Sequence, residues 1–432
     1  MSIWEKFSKE QREEYIKFLQ VYGALSNLFR QKQGDMIPHL DSKFQETVFA
    51  RIFNGQNVDI GNTPHDVLSI IDNQRIGIGL KTWMGSKPSF QKVMQLKRYQ
   101  SDINEYRNDW QSMAQKISEI KNERMKSDYV RLGLTEDRNI YHYVTRDKGL
   151  FTINECSYPL IDINKLNNFS FTDSALSWSD GNKDYKYTFG DSQIWQKFDS
   201  NRYNSTILKQ FDINIIEDPF EFLLKAYFNL IETTKIVESN IIEVYLPLYS
   251  YRSKEVEEKS GLNAWNGASK NRGSETLRPL NEVYIPIPRE FHKKHPDFFT
   301  KDIFEFENEQ KSYQGNKENK PEVRFYLQLP NGKKIPSLVT QSNMKGLQSG
   351  SNTERDANGK RYGQSALGQW LLVDVLGLKD RKLVTREWLQ KKGTDSVRLW
   401  RDKDDYSKIN IDFAPIGSFE AFMNDEPTII ED

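Results

Sequence analysis

Three residues near the N-terminus have the types and spacing that metal-dependent hydrolysis requires. Asp66 precedes one apolar run, Lys81 ends the next, and Glu46 lies upstream of both. A carboxylate can bind Mg²⁺, which lowers the pKa of a bound water and neutralises a phosphate, while a lysine positions the attacking water. This pattern predicts phosphodiester cleavage with Asp66, Glu46 and Lys81 as catalytic residues, and with Asp66 and Glu46 as the metal ligands.

Glu46 lies in a predicted helix. Apolar residues recur at helical spacing over residues 42–54, Ser42 is a candidate N-cap, and Gly55 ends the pattern. Glu46 falls on the same helix face as Ala50, so its side chain can point toward the edge of a neighbouring sheet.

Asp66 and Lys81 lie on a predicted β-hairpin. Two apolar runs, at 66–71 and 75–83, are separated by the turn residues Asp72-Asn73-Gln74. The two strands of such a hairpin would bring the carboxylate and the lysine together.

The order of these elements resembles the PD-(D/E)XK nuclease fold, whose core is a helix, three strands, a helix and a strand. A short strand is expected over 57–60 and a long helix over 89–125, whose alternating charges favour a solvent-facing or dimer-forming surface. The family has an acid two residues before the lysine, where this chain has Gly79. Members of the superfamily relocate that acid to the preceding helix, so the resemblance implies an α/β nuclease domain in which Glu46 substitutes for it.

Glycines and a run of cations add to this interpretation. Gly77 and Gly79 lie within a predicted strand, where glycine often marks close approach of another group. Residues 81–98 contain five cations and no acid. Lys87 and Lys92 are therefore candidate phosphate contacts.

Two polar segments in the C-terminal half, the first at 260–281 and the second at 341–351, have side chains suited to reading bases. In the DNA major groove, Arg pairs with guanine, and Asn or Gln with adenine. Residues 331–408 contain sixteen Lys and Arg against nine Asp and Glu, although the whole chain has a net charge of zero. The candidate DNA-binding residues are Asn263, Trp265, Asn266, Lys270, Arg272, Arg278, Gln341, Asn343, Lys345, Gln348 and Ser349.

These segments resemble the C-terminal recognition domain of NgoFVII-type type II restriction endonucleases. The resemblance extends over about 245–413 and is carried by SGLNAWNGASKNRGSETLRPLNEVYIPIPREF, QLPNGKKIPSLVTQSNMKGLQS and ALGQWLLVDVLGLKDRKLVTREWLQKKGTDSVRLWR. It implies a mostly-β, B-three-like pseudobarrel that grips double-stranded DNA with two arms, and a cognate DNA methyltransferase as genetic partner. Pro286 and Pro288 restrict their own segment to a sheet edge.

Composition excludes several other classes. The single cysteine, Cys156, rules out a disulfide framework and a zinc finger, and the five histidines are too scattered for a zinc-protease motif. The H-x-K-x(4)-D motif of phospholipase-D-type nucleases, found in some NgoFVII-type enzymes, is absent. No run approaches eighteen apolar residues and the N-terminus is charged, so we expect a cytoplasmic protein without a membrane partner.

Two domains are expected. Residues 1–238 would form the nuclease domain with a β-rich insert at about 139–200, and 239–432 the DNA-binding domain. The boundary would follow a helical segment at 218–234. The fold class is thus an α/β (α+β) nuclease domain followed by a mostly-β pseudobarrel.

The sequence thus predicts a sequence-specific type II restriction endonuclease that uses Mg²⁺. Because one nuclease site cuts one strand, a homodimer is expected, with the helix at 89–125 as its candidate interface. Two alternatives remain open. One is a non-catalytic DNA-binding regulator, which Gly79 favours, and the other is an endonuclease directed by base modification.

Overall fold

The computed structural model describes residues 2–29, 36–60, 63–85, 87–202, 205–230, 240–268, 277–315, 320–340, 343–351, 354, 363–378 and 382–426. The chain divides into two compact units, Met1–Val237 and Glu238–Asp432. None of the described helices is long and apolar enough to cross a membrane.

The N-terminal unit starts with two helices that pack on one face of a sheet. The second buries Val48, Phe49 and Ile52, which supply the core on that face. Its N-cap is Asp41 rather than Ser42, because the Asp41 carboxylate accepts a hydrogen bond from Phe44 N at 3.0 Å. The helices of this unit are α1 (Lys9–Ala24), α2 (Ser42–Ile52), α3 (Gln100–Asn104), α4 (Trp110–Leu132) and α5 (Pro219–Leu230).

The first sheet contains the predicted hairpin. Its strands are β1 (Gln56–Asn57), β2 (Val67–Ile71), β3 (Gln74–Met84), β5 (Asn139–Asp147), β6 (Leu150–Ser157) and β11 (Thr206–Asp212), in the order β1-β2-β3-β5-β6-β11. β2 and β3 pair antiparallel around Asp72 and Asn73, which have φ values of 51° and 60°, so the hairpin prediction is confirmed. β5 runs parallel to β3, and α4 lies in the connection between them.

A second sheet corrects the prediction of one long helix over 89–125. Its strands are β4 (Ser89–Gln95), β7 (Asn167–Phe171), β8 (Ala175–Ser179), β9 (Asp184–Thr188) and β10 (Gln193–Phe198), in the order β4-β10-β9-β8-β7. Residues 89–95 are therefore a strand, because they pair with a segment almost a hundred residues later. The β-rich stretch at 139–200 contributes β5 and β6 to the first sheet and four strands to the second.

The helix that does form, α4, is a core helix rather than a solvent-facing one. Twelve of its residues are buried, among them Met113, Ile117 and Met125, which have no exposed surface. These side chains join the core between the two sheets. The long helix therefore offers little apolar surface for a second subunit.

The C-terminal unit is mostly β. Its described strands are β12 (Ile241–Pro247), β13 (Ile285–Pro286), β14 (Arg324–Gln328), β15 (Lys334–Val339), β16 (Gly346–Ser349), β17 (Ser396–Asp402) and β18 (Lys408–Ala414). They form a sheet in the order β12-β17-β18-β14-β15-β16-β13, with β14 and β18 parallel. The two edge strands, β12 and β13, also contact each other, so the sheet curves back on itself. β13 contains Pro286 and lies at the edge, as predicted.

Short helices cover this sheet. They are α6 (Arg289–Lys294), α7 (Ile303–Ser312), α8 (Ala366–Gly368) with the π-helical turn Gln369–Val375 that continues it, α9 (Arg386–Lys392) and α10 (Ser418–Met423). Leu367, Trp370 and Leu371 are buried. The segment that contains them is therefore core.

Candidate functional site

Asp66 and Lys81 meet on the hairpin, as the sequence predicts. Asp66 lies directly before β2, and its Oδ2 accepts a hydrogen bond from Leu80 N at 2.5 Å. Lys81 Nζ lies 3.9 Å from the same oxygen. The Asp66 side chain is 11% exposed and that of Lys81 28% exposed, so both reach solvent from the edge of the core.

Glu46 joins this pair from α2. Its side chain is 13% exposed, and burial together with the negative charge of Asp66 raises its pKa above the usual value. Burial also raises the pKa of Asp66, to which the charge of Asp59 adds, while Lys81 and the Leu80 N–H act in the opposite direction. The structure thus brings the two predicted metal ligands close enough for their charges to interact.

Lys43 and Asp59 belong to the same cluster, and sequence reasoning missed both. Lys43 Nζ lies 2.9 Å from Glu46 Oε2 and 3.5 Å from Asp59 Oδ2. Burial alone would lower the pKa of Lys43, but the hydrogen bond and charge of Glu46 raise it above its usual value. Asp59 Oδ1 accepts hydrogen bonds from Thr63 N and Oγ1 at 3.1 and 3.2 Å. Only the i, i+3 spacing of Lys43 and Glu46 could have indicated this contact.

The donor set of this cluster suits Mg²⁺. No group of three His, Cys, Asp or Glu side chains arranged to hold a metal ion is present in the described part of the chain. Mg²⁺, however, usually binds through one or two carboxylates and keeps several waters. Asp66 and Glu46 supply two carboxylates, the charge of Asp66 raises the pKa of Glu46, and a divalent cation would relieve that repulsion. The residues present therefore fit a magnesium ion.

A buried ion pair fixes the segment that carries Asp66. His65 Nδ1 lies 2.6 Å from Asp128 Oδ2, and Arg131 Nε donates to Asp128 Oδ1 at 2.7 Å. Burial would raise the pKa of Asp128, but Arg131 and His65 lower it below the usual value. The His65 ring also explains Gly77, because a Cβ there would lie 2.5 Å from His65 Cδ2. The hydrogen bond between His65 and Asp128 thus links α4 to the residue next to Asp66.

Gly79, where an acid was expected, lies against an aromatic ring. A Cβ at this position would lie 2.8 Å from both Cδ1 and Cε1 of Tyr141. Tyr141 is buried and stacks on Tyr158, with ring centroids 3.8 Å apart. A carboxylate at position 79 would require this pair of rings to move, so the packing of Tyr141 disfavours an acid at this position.

The sequence predicts that the two candidate phosphate contacts lie at the start of a helix. In the structure they do not. Lys87 is exposed in the connection between β3 and β4. Lys92 is half-buried on β4, opposite Trp195 of β10. Both lysines follow the hairpin directly along the chain, but Lys92 belongs to the second sheet.

Three candidate DNA-binding residues are buried in the C-terminal unit and are structural instead. Asn263 has no exposed surface, because its side chain donates to Val384 O at 2.8 Å and accepts from Val384 N at 2.9 Å. Trp265 is 1% exposed in the core. Ser349 Oγ accepts from Leu367 N at 3.0 Å. These side chains are not available to bases.

In the first polar segment, residues 269–276 lie outside the described residues, and the residues on either side of them pair with each other. Ala268 and Leu277 form an antiparallel bridge, and Arg278 N donates to Gly267 O at 3.1 Å. Asn266 is half-buried close to this pairing along the chain. The Arg278 side chain is 33% exposed beside Glu282. The predicted contacts Lys270 and Arg272 lie outside the described residues.

The second polar segment includes the turn between β15 and β16. Asn343 is exposed with a φ of 61°, and Lys345 is exposed next to it. The turn is held by hydrogen bonds from Thr340 N to Gly346 O and from Ile287 N to Lys345 O, both 2.8 Å. Gln348 is half-buried on β16. Gln341 lies outside the described residues.

A cleft of about 270 Å³ adjoins this turn, and sequence reasoning did not find it. Its lining includes Tyr251, Arg252, Tyr284, Arg289 and Lys345. Arg289 is paired with Glu307 at 2.7 Å. These residues come from three separate stretches, so no local spacing indicates that they meet.

Comparison with known families identifies part of the chain. Residues 238–403 match the model of the NgoFVII C-terminal B3-like DNA-binding domain, and no curated protein matches the chain significantly. The matched segment runs from the start of the C-terminal unit through β17. The C-terminal unit therefore carries a DNA-binding domain of the kind found in restriction enzymes.

Proposed function

We propose that this protein is a sequence-specific, Mg²⁺-dependent type II endonuclease that hydrolyses phosphodiester bonds of double-stranded DNA. One observation carries the proposal: Asp66, Glu46 and Lys81 form one cluster in a chain that also matches a restriction-enzyme DNA-binding domain. The domain match supports sequence-specific binding, and the cluster supports the chemistry.

The order of elements around the cluster supports a PD-(D/E)XK-like nuclease domain. α2 is followed by β1, β2 and β3, then by α4, and then by β5 parallel to β3. This order is similar to the helix, three strands, helix and strand of that fold, with β4 and α3 as additions between β3 and α4, and it supports the proposal. The catalytic acid and lysine of the family lie on the second and third strands, which corresponds to Asp66 and Lys81.

Each residue of the cluster has a distinct part in the proposed reaction. Asp66 and Glu46 would hold Mg²⁺, which when bound lowers the pKa of a water and neutralises the scissile phosphate. The Leu80 N–H fixes the Asp66 carboxylate in place. Lys81, partly exposed beside Asp66, would orient the attacking water and stabilise charge on the phosphate.

The C-terminal unit would select the site. The accessible polar side chains Arg278, Asn343, Lys345 and Gln348 are its candidate contacts to bases and phosphates. We further propose that the protein acts as a homodimer, since two strands must be cut, and that a cognate methyltransferase protects the host DNA.

The proposal is tested by incubating the purified protein with phage and plasmid DNA in Mg²⁺ or in EDTA. Discrete fragments that require Mg²⁺ are expected. Lys81→Ala should abolish cutting while specific binding, measured by gel shift, stays within about threefold. Lys17→Ala, at an exposed position on α1, is the matched control and should cut normally. Cutting by Lys81→Ala at the normal rate would contradict the assignment.

A non-catalytic DNA-binding regulator is the second candidate, and the aromatic contact at Gly79 favours it because the usual acid is missing. It predicts DNA that is shifted but intact, with or without Mg²⁺. Repeating the incubation on methylated DNA tests the remaining alternative, since cleavage of methylated DNA alone would show a modification-dependent endonuclease.

A further inference from the structure

Helix α5 carries an apolar stripe that the described residues leave uncovered. Five large side chains recur at i, i+3, i+4, i+7 and i+8, which is the spacing of one helix face. They are Phe220 (62% exposed), Leu223 (40%), Leu224 (60%), Tyr227 (58%) and Phe228 (68%). An exposed apolar stripe of this size on a soluble domain marks an interaction surface.

The start of this helix is fixed to the N-terminal unit. Asn27 Nδ2 donates to Ile216 O at 2.9 Å and to Glu217 O at 3.2 Å. Asp218 Oδ1 then accepts hydrogen bonds from Phe220 N and Glu221 N, both at 3.1 Å. The helix is thus capped and anchored at its start, while the five side chains of the stripe remain exposed.

We infer that the stripe binds the same stripe of a second copy of this chain. The i, i+3, i+4, i+7 spacing is typical of a surface that packs on another helix. The charged residues within α5 are Glu221 and Lys225, one of each sign, so the surface lacks the positive charge that DNA would require. Lys225 Nζ already lies 2.7 Å from Glu221 Oε1 of the same helix. An antiparallel, two-fold pair of α5 helices would bring two such pairs together, with Glu221 of each copy near Lys225 of the other, and a two-fold interface must be self-complementary in this way.

The exposed area is sufficient for a weak but specific dimer. At about 200 Å² for each aromatic side chain, the exposed fractions of Phe220, Tyr227 and Phe228 amount to nearly 400 Å², and the two leucines bring the stripe to about 500 Å². Two copies would bury about 1,000 Å², which is the lower limit for a specific interface. Interfaces at this lower limit are typical of weak, transient association, so binding of both copies to one DNA site would strengthen the pair.

This inference deepens the proposed function, because it names the surface that would join two nuclease sites. It replaces the helix at 89–125, whose described counterpart α4 buries most of its apolar side chains. Dimerisation is measured on the full chain without DNA, so a protein that dimerises but does not cut would refute the nuclease and leave this interface intact.

Sedimentation equilibrium over protein concentrations of about 0.5–50 μM tests the interface. The wild-type chain should pass from monomer to dimer, whereas Leu224→Glu should stay monomeric. Val130→Glu is the control, because Val130 is also an exposed apolar residue on a helix, at 45%. A wild-type chain that is monomeric throughout, or a Leu224→Glu chain that still dimerises, overturns the inference.

Charge reversal tests the antiparallel arrangement without changing the apolar stripe. Glu221→Lys and Lys225→Glu should each weaken the dimer about tenfold, because two attractive pairs become two repulsive ones. The double variant should restore the wild-type dissociation constant. Single variants that dimerise as well as the wild type would overturn the proposed pairing, and this result does not depend on how Leu224→Glu folds.

Discussion

Replacing Asp66 with Asn should stabilise the metal-free protein and abolish its further stabilisation by Mg²⁺. The amide keeps the shape of the side chain and can still accept the hydrogen bond from Leu80 N, but it removes one of two neighbouring buried negative charges. Burial raises the pKa of Asp66 and of Glu46 in the folded protein. Because a raised pKa means that the fold disfavours the ionised form, the metal-free protein should lose stability as the pH rises through these pKa values. At neutral pH in EDTA, Asp66→Asn should therefore melt at a higher temperature than the wild type.

The magnitude of the metal effect follows from mass action. Mg²⁺ at ten times its dissociation constant should stabilise the wild-type fold by about 1.4 kcal/mol. For a unit of this size, that free energy corresponds to a rise in melting temperature of about 3–6 °C. Asp66→Asn leaves Glu46 as the remaining carboxylate ligand, so the rise should disappear.

Thermal unfolding of the full chain in EDTA and in Mg²⁺, at several pH values between 5 and 8, measures both effects. Asp59→Asn is the matched control, because Asp59 contacts Lys43 and Thr63 and is not a proposed ligand. It should keep the Mg²⁺ response. An equal rise in melting temperature for Asp66→Asn and the wild type would refute the metal site.

Three further substitutions separate structural residues from DNA contacts. Asp128→Asn removes the carboxylate that Arg131 contacts inside the core, so urea denaturation should show a loss of about 3–5 kcal/mol, and a loss within error of zero would refute the buried ion pair. Asn263→Ala should cost about 2 kcal/mol by the same assay, because Val384 loses both of its side-chain partners, while the DNA affinity of the folded protein stays unchanged. Arg278→Ala should leave stability unchanged and weaken binding to the cognate site by about 1–3 kcal/mol, as read by fluorescence anisotropy. An equal loss on every sequence would instead show that Arg278 contacts phosphate.

The parts of the fold that sequence predicted well are those encoded locally. The hairpin has two alternating apolar runs around a turn of Asp72 and Asn73, and both residues adopt the positive φ that such a turn needs. The meeting of Asp66 and Lys81 follows from that hairpin. Glu46 required only that its helix face be identified.

The errors arose where a distant segment decides the outcome. Residues 89–95 have no local feature that distinguishes them from the start of a charged helix, and their strand conformation depends on pairing with β10. The hydrogen bond between His65 and Asp128 likewise joins residues 63 positions apart. Side-chain type and spacing carry no information about such contacts.

Residue type also failed to separate exposed from buried polar groups. Asn263 and Arg278 are both suited to base recognition. The Asn263 side chain, however, is buried and hydrogen-bonded to the backbone of Val384, whereas Arg278 remains partly exposed. A buried amide that saturates two backbone groups has the same sequence signature as one that reads adenine. Only the structure distinguishes the two.

The pairing of β4 with β10 also affects how the chain folds during its synthesis. Gln95 and Gln193 are register partners, so about a hundred residues must leave the ribosome before β4 has a strand to pair with. At about 5–20 residues per second, β4 waits roughly 5–20 s, with Met94 and Leu96, both buried in the finished protein, still exposed. During synthesis this strand is an open edge at risk of pairing with another nascent chain. The 139–200 segment is therefore needed for β4 to form, because its last strand, β10, supplies the pairing.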